Sequence, residues 1–262
     1  MADASASAVN PGTHIVSELG LQTYAAGETF AGRADVLPEA CVPGTEALRT
    51  SVLATWADIV TGYAAMLAVA PRIPLTLDLE VQVVEPARAG AVVISEAEIT
   101  KAGRSIVMTQ TPFRDEATGR LLAVAVVTFM ASPNPAHEFE RDVFVPPVWE
   151  ERLAVPLAER IGSVIVEPGV AEVPRRPDGL NATGAIQGGI VAFAAEEAAT
   201  SLVPEPALLE VFHLRYLRPF TIGPARAEAS GDAQLAQVRL TDVGTGKLGA
   251  TATARLMKNP TS

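Results

Sequence analysis

The chain has 262 residues, 48% of them hydrophobic, enough for two small domains or one large one with a real core. Its net charge of −10 and pI near 4.9 repel a phosphate backbone, so no nucleic-acid partner is expected. The single cysteine, Cys41, excludes an intrachain disulfide and, without a clustered His or second Cys, any cysteine metal site.

Residues 1–13 are Ala/Ser-rich, carry acidic Asp3 and lack a basic start or an apolar run, which reads as a disordered leader rather than a signal peptide. One strand is expected around 28–36, then a helix over 46–68. The apolar stretch 47–70 holds Arg49, Thr50, Ser51, Thr55 and Asp58, a mixture a membrane span tolerates poorly. A buried helix of a cytoplasmic, non-membrane protein is therefore expected. Leu75, Leu77, Leu79, Val81 and Val83 alternate with Thr76, Asp78, Glu80 and Gln82, the pattern of a strand with one buried face. Pro86 and Gly90 end it, and 91–100, 105–113 and 121–131 read as three more strands. Residues 139–159, with three prolines, read as a linker. The series then recurs: a strand at 161–170, a helix over 186–203, and strands at 209–217, 225–231, 233–241 and 248–257.

The recurrence is visible residue by residue. Pro86 and Gly90 reappear as Pro219 and Gly223, each 133 positions on. Thr118-Gly119-Arg120-Leu121 reappears as Thr245-Gly246-Lys247-Leu248, and Pro133 as Pro260, each 127 positions on. The second copy has thus lost about six residues, an ordinary loop change. The chain is read as one unit written twice, over 14–138 and 160–262: an α+β architecture of two long central helices, each wrapped by an antiparallel sheet.

At the head of the second helix stands Asn181, then Gln187-Gly188-Gly189, then Glu196 nine residues after Gln187. The first helix carries Arg49-Thr50-Ser51 and then Asp58, nine residues after Arg49, with Pro43 where an Asn would stand. A helix N-terminus offers unpaired N–H groups and the positive end of a dipole to a developing oxyanion, and glycine there admits a substrate carbonyl closely. Gly188 N–H is the candidate oxyanion donor. A carboxylate must then activate water or attack directly. Gly188 and Glu196 stand about 12 Å apart along one helix, too far to share a carbonyl.

The segment resembles the active-site stretch of the PaaI-like acyl-CoA thioesterases, in which an Asn lies six positions before His-Gly-Gly and an acid nine after the His. Here Gln187 replaces that His and Glu196 the usual Asp. The tandem arrangement resembles the double hot-dog fold, over nearly the whole chain beyond residue 15. The resemblance implies that each donor works with an acid from the other unit. One site would join Asn181, Gln187 and Gly188 to Asp58; the second would join the Thr50 and Ser51 N–H groups to Glu196, with Thr200 holding a water. The first is expected to be competent and the second decayed or repurposed. Gly189, Trp56, Tyr63 and Phe193 would meet an acyl chain lying between the helices. An acyl-CoA substrate is implied, with coenzyme A as part of it, no cofactor and no metal. A homodimer of double hot-dogs is the expected assembly.

Other readings compete. Asp58 lies in the apolar run Ala-Thr-Trp-Ala-Asp-Ile-Val, where a carboxylate is costly unless paired or functional. Asn181 suits an ordinary turn, the two glycines close packing, and Trp56 and Phe193 a core. Gln187 orients but exchanges no protons. His213 is read as a surface or edge position. A hydratase or dehydratase would need a His near the thioester, and neither helix has one; a non-catalytic acyl-CoA binder is the alternative from another class.

Overall fold

The computed structural model describes residues 14–27, 29–139 and 148–258. The expected leader 1–13, residues 140–147 of the expected linker, the Pro260 repeat match and position 28 of the first expected strand lie outside the described residues. In chain order the first repeat holds β1 (Leu21–Ala26), β2 (Thr29–Asp35), α1 (Thr50–Val69), β3 (Pro74–Val83), β4 (Val92–Glu96), β5 (Glu98–Ala102), β6 (Ile106–Asp115) and β7 (Leu121–Ala131). A short helix α2 (Leu157–Ile161) leads into β8 (Val164–Glu167), β9 (Val170–Val173), α3 (Gly188–Thr200), β10 (Ala207–Tyr216), β11 (Ala225–Gly231), β12 (Ala236–Asp242) and β13 (Lys247–Lys258).

The strands form one antiparallel sheet in the order β1-β2-β4-β6-β7-β3-β10-β13-β12-β11-β9-β8, with β5 also on β6. The order reads the same from both ends once the repeats are superposed. The halves meet where β3 pairs with β10, Leu79 opposite Leu214 and Val81 opposite Phe212. Glu80 faces His213, its own counterpart 133 residues on, so a pseudo-twofold axis passes through that pair. His213 is therefore at the centre of the sheet, not at an edge; its Nε2 lies 2.8 Å from both Asp78 carboxylate oxygens.

Two expectations are corrected. A hairpin, not a single strand, precedes each helix, because Gly27 and Gly169 turn the chain at positive φ. At Gly169 a side chain would also come within 2.9 Å of the Ala229 carbonyl oxygen. The expected strand at 91–100 is broken at Ala97. Pro112, which has no N–H for the ladder, falls opposite Glu96, the residue just before the break, and Thr111 opposite Ala97. Ala97 instead donates to Phe30 O at 2.8 Å.

Both long helices lie against the inward row of the sheet. Leu53, Trp56, Ala57, Val60 and Ala64 of α1 and Ala192, Phe193, Ala195 and Ala198 of α3 are buried against Val81, Val107, Val127, Phe212 and Leu214. Alanine dominates because the helices run close both to the sheet and to each other, where a larger side chain has no room. Despite those polar residues α1 is long and apolar enough on average to cross a membrane, but most of it is buried inside the fold.

Asp242, 1% exposed at the end of β12, staples the return loop. Its carboxylate accepts from the Thr221, Ile222 and Gly223 N–H groups at 2.8–3.1 Å. Burial pushes this carboxyl up, but the backbone donors together outweigh it and hold it below its ordinary range. Asp242→Asn is expected to cost about 1–2 kcal/mol at neutral pH. The ionised staple contributes fully above the unfolded carboxylate value of about 4 and is lost as pH falls through the lower folded value. Denaturant melts should therefore show a constant gap between wild type and variant near neutrality, closing in strong acid.

Candidate active site

The two helices start side by side; α1 presents its first turn to Glu196 of the other repeat, and Asp58 lies near the start of α3 by way of Tyr216, which touches Gly188 and is within reach of the Asp58 charge. The pair that starts at α1 is filled. Glu196, 0% exposed, accepts from Thr50 N–H at 2.9 Å and from Ser51 Oγ at 2.5 Å. The buried Arg49 guanidinium lies 3.6 Å from Glu196 and 2.8 Å from Glu197, and stacks over Phe193 at 4.8 Å. Burial pushes the Glu196 carboxyl up, against the pull of Arg49, Ser51 and Thr50. Thr50 Oγ1 donates to Leu209 O at 2.6 Å, which ties the helix start to β10. The expected second site is thus brought together and closed: Glu196 occupies the position an oxyanion would take. Thr200, expected to hold a water, spends its hydroxyl on Glu196 O one turn back, at 2.8 Å.

The pair that starts at α3 is built differently. Asp58 has one methylene fewer than Glu196. Its carboxylate accepts from Thr76 Oγ1 at 2.6 Å, and burial pushes its pKa up to about 6, with the Thr76 bond pulling the other way. The carboxyl group is enclosed, while the residue keeps part of its surface open. Gly188 N–H makes no hydrogen bond among the described residues, whereas the equivalent Thr50 N–H is taken. Gly188 has no hydroxyl to fill the space, and Thr76 of β3 stands where the other repeat has the buried Leu209.

Tyr216, at the end of β10, was not expected from the sequence. Its hydroxyl donates to Gly188 O at 2.9 Å, and burial, then the Asp58 charge, hold the phenol well above its ordinary value. It thus touches the helix start and lies within reach of the Asp58 charge. Its counterpart is Val83. The available signal was one polar ring in an otherwise apolar inward row of Phe212 and Leu214.

Several expected residues serve the frame instead. Asn181 Oδ1 accepts from Thr183 N, Thr183 Oγ1 and Ala185 N, so the exposed carboxamide caps its own turn. Gln187 caps α3 by accepting from Gly189 N. A side chain at Gly189 would sit 2.1 Å from Thr55 Oγ1 of α1, so this glycine serves the helix contact rather than a substrate. Trp56 and Phe193 are each 1% exposed in the core. Tyr63 packs on Phe30 with ring centroids 5.6 Å apart. A small apolar cavity, no larger than one water, lies beside Val52, Thr55, Gly189, Ile190 and Phe193 of the two helices and is closed by Ile15, Leu19, Leu157 and Ile161. Among the described residues no cluster of His, Cys, Asp or Glu is set to hold a metal ion.

Solved structures share this architecture along nearly their whole length. A 12:0-ACP thioesterase from Umbellularia californica superposes with TM-score 0.66 at 14% identity, over 90% of this chain and 99% of its own. A putative thioesterase from Novosphingobium aromaticivorans superposes with TM-score 0.61 at 17% identity, over 92% and 98%. The fold is a tandem double hot-dog. A putative thioesterase II from Thermobifida fusca gives TM-score 0.60 at 18% identity, over 95% and 99%. Residues 50–121 also match the model of the thioesterase superfamily, a stretch that begins with α1 of this hot-dog pair and includes Asp58. No curated protein sequence matches the chain.

Glu196→Ala removes one partner of a buried ion pair and leaves Arg49 facing only Glu197. It is expected to lower unfolding free energy by about 3–5 kcal/mol, read by denaturant titration. A loss near zero would show that the closed pair does not hold the helices together.

Proposed function

We propose that the chain is an acyl-CoA thioesterase that works at the Gly188–Asp58 pair alone. The observation that supports this most is the asymmetry of the two helix starts: Thr50 N–H is satisfied by Glu196, whereas Gly188 N–H is left for a guest across from an ionisable carboxylate. In this reading the thioester carbonyl oxygen accepts from Gly188 N–H. Asp58 takes a proton from water, the water oxygen bonds to the carbonyl carbon, and the tetrahedral intermediate collapses with loss of the CoA thiolate, which takes the proton back from Asp58. The acyl group extends along the half-buried side of α1 that follows Asp58, past Gly62 and Met66.

The three histidines are engaged elsewhere, His14 with Leu180 O, His137 with Ser132 and His213 with Asp78, which disfavours a hydratase. The second reading is a non-catalytic acyl-CoA binder. It is favoured by one observation, the cap role of Gln187, which exchanges no proton.

Free-thiol release from a panel of acyl-CoAs decides between them. Wild type is expected to turn over, and Asp58→Asn to lose at least 10²-fold in kcat. Because the base must be ionised, kcat/KM should fall tenfold per pH unit below about 6 and be flat above. The same raised pKa penalises the folded state, increasingly from about pH 4 to about 6 and constantly beyond. Asp58→Asn should therefore be the more stable protein at pH 8, by on the order of 1–3 kcal/mol, with the advantage vanishing in acid. Binding without turnover on any acyl-CoA would establish the binder instead.

A further inference from the structure

We infer that Tyr216 is a positioning residue of the reaction, a clamp from β10 that holds the Gly188 peptide so that its N–H stays aimed at the thioester oxygen. The inference rests on the proposed reaction, but the clamp itself is a feature of the fold. Two glycines in succession make a loose helix start, since each loses more backbone freedom on ordering than any other residue. In the first repeat the equivalent residue, Thr50, pins itself to β10 through its own hydroxyl on Leu209 O at 2.6 Å. Gly188 has no side chain to do so. The Tyr216 hydroxyl supplies the missing bond from the strand, donating to Gly188 O at 2.9 Å. Its hydroxyl and ring lie 3.4–3.7 Å from where a Gly188 Cβ would be, ordinary van der Waals contact. The tyrosine thus takes the place of the absent side chain without blocking the N–H, and both helix starts are anchored to the same strand by opposite partners.

Gln187 O accepts from Ile190 N at 3.0 Å and Val191 N at 3.2 Å, which fixes the peptide plane before Gly188. Tyr216 fixes the plane after it. The N–H lies in the first plane, and the bond on the second keeps the glycine between them from letting that plane turn. The burial and the Asp58 charge that keep the phenol protonated also keep it a donor across the working pH range.

Tyr216→Phe keeps the ring and removes only the bond. With wild type active on the acyl-CoA panel, kcat is expected to fall about tenfold, the factor one ordinary hydrogen bond represents, with KM unchanged. Affinity for a trifluoromethyl-ketone analogue of the acyl-CoA, which mimics the oxyanion, should fall in parallel. Affinity for the unreactive thioether analogue should not. Equal loss for both analogues, or a rise in KM alone, would overturn the clamp. If wild type hydrolyses none of the panel, the proposed reaction fails separately, and amide hydrogen exchange judges the clamp. Faster exchange at Gly189, whose bonded N–H belongs to the clamped peptide, in Tyr216→Phe, with Thr50 unchanged, supports it; unchanged exchange at Gly189 overturns it.

Discussion

A helix that begins inside a protein leaves N–H groups pointing at low-dielectric space, and something negative has to meet them. Here two helices begin side by side at the join of two repeats, and each is offered a carboxylate by the other. The rest of the site follows from how well that carboxylate reaches. Glu196 reaches Thr50 N–H, gathers Ser51 and Arg49 around it and closes its end of the molecule. Asp58, one methylene shorter, rests on Thr76 and leaves Gly188 N–H unmet by the described residues.

The two arrangements have opposite energetics. The closed pair holds the helices together through charges that compensate each other in a dry setting. The open pair keeps an enclosed carboxylate whose only hydrogen-bond partner described is a hydroxyl, and burial raises its pKa to about 6. Charge is compensated at one repeat's helix start and left with a single hydroxyl partner among the described residues at the other's. Duplication makes this possible, because the pseudo-twofold axis at Glu80 and His213 sets the same geometry twice while the sequences at the two ends are free to differ.

Much of the frame was legible in the sequence. The 133-residue spacing of Pro86 and Pro219 announced the repeat, and alternation placed β3, β10, β11 and β13 within a few residues. The hairpins before each helix were missed although Pro168-Gly169 is a turn signal, because their strands are short, four residues each in the second repeat. The break at Ala97 depends on Pro112 across the ladder, a partner that local pattern does not reveal. At the site, nine-residue spacing brought Asp58 and Gly188 to notice. It did not distinguish Asn181 as a turn cap or Gly189 as a packing glycine, since a side chain's partner is set by folding. Tyr216 lies 28 residues beyond Gly188 and meets it only through the sheet.

The most direct measurement is a crystal structure of the wild-type chain with a saturating non-hydrolysable acyl-CoA analogue. One molecule per chain is expected, its carbonyl-equivalent oxygen on Gly188 N–H, Asp58 beside it, and Glu196 still bonded to Thr50. An analogue seated at Thr50 with Glu196 displaced, or two analogues per chain, would contradict the division of the molecule into one open and one closed site.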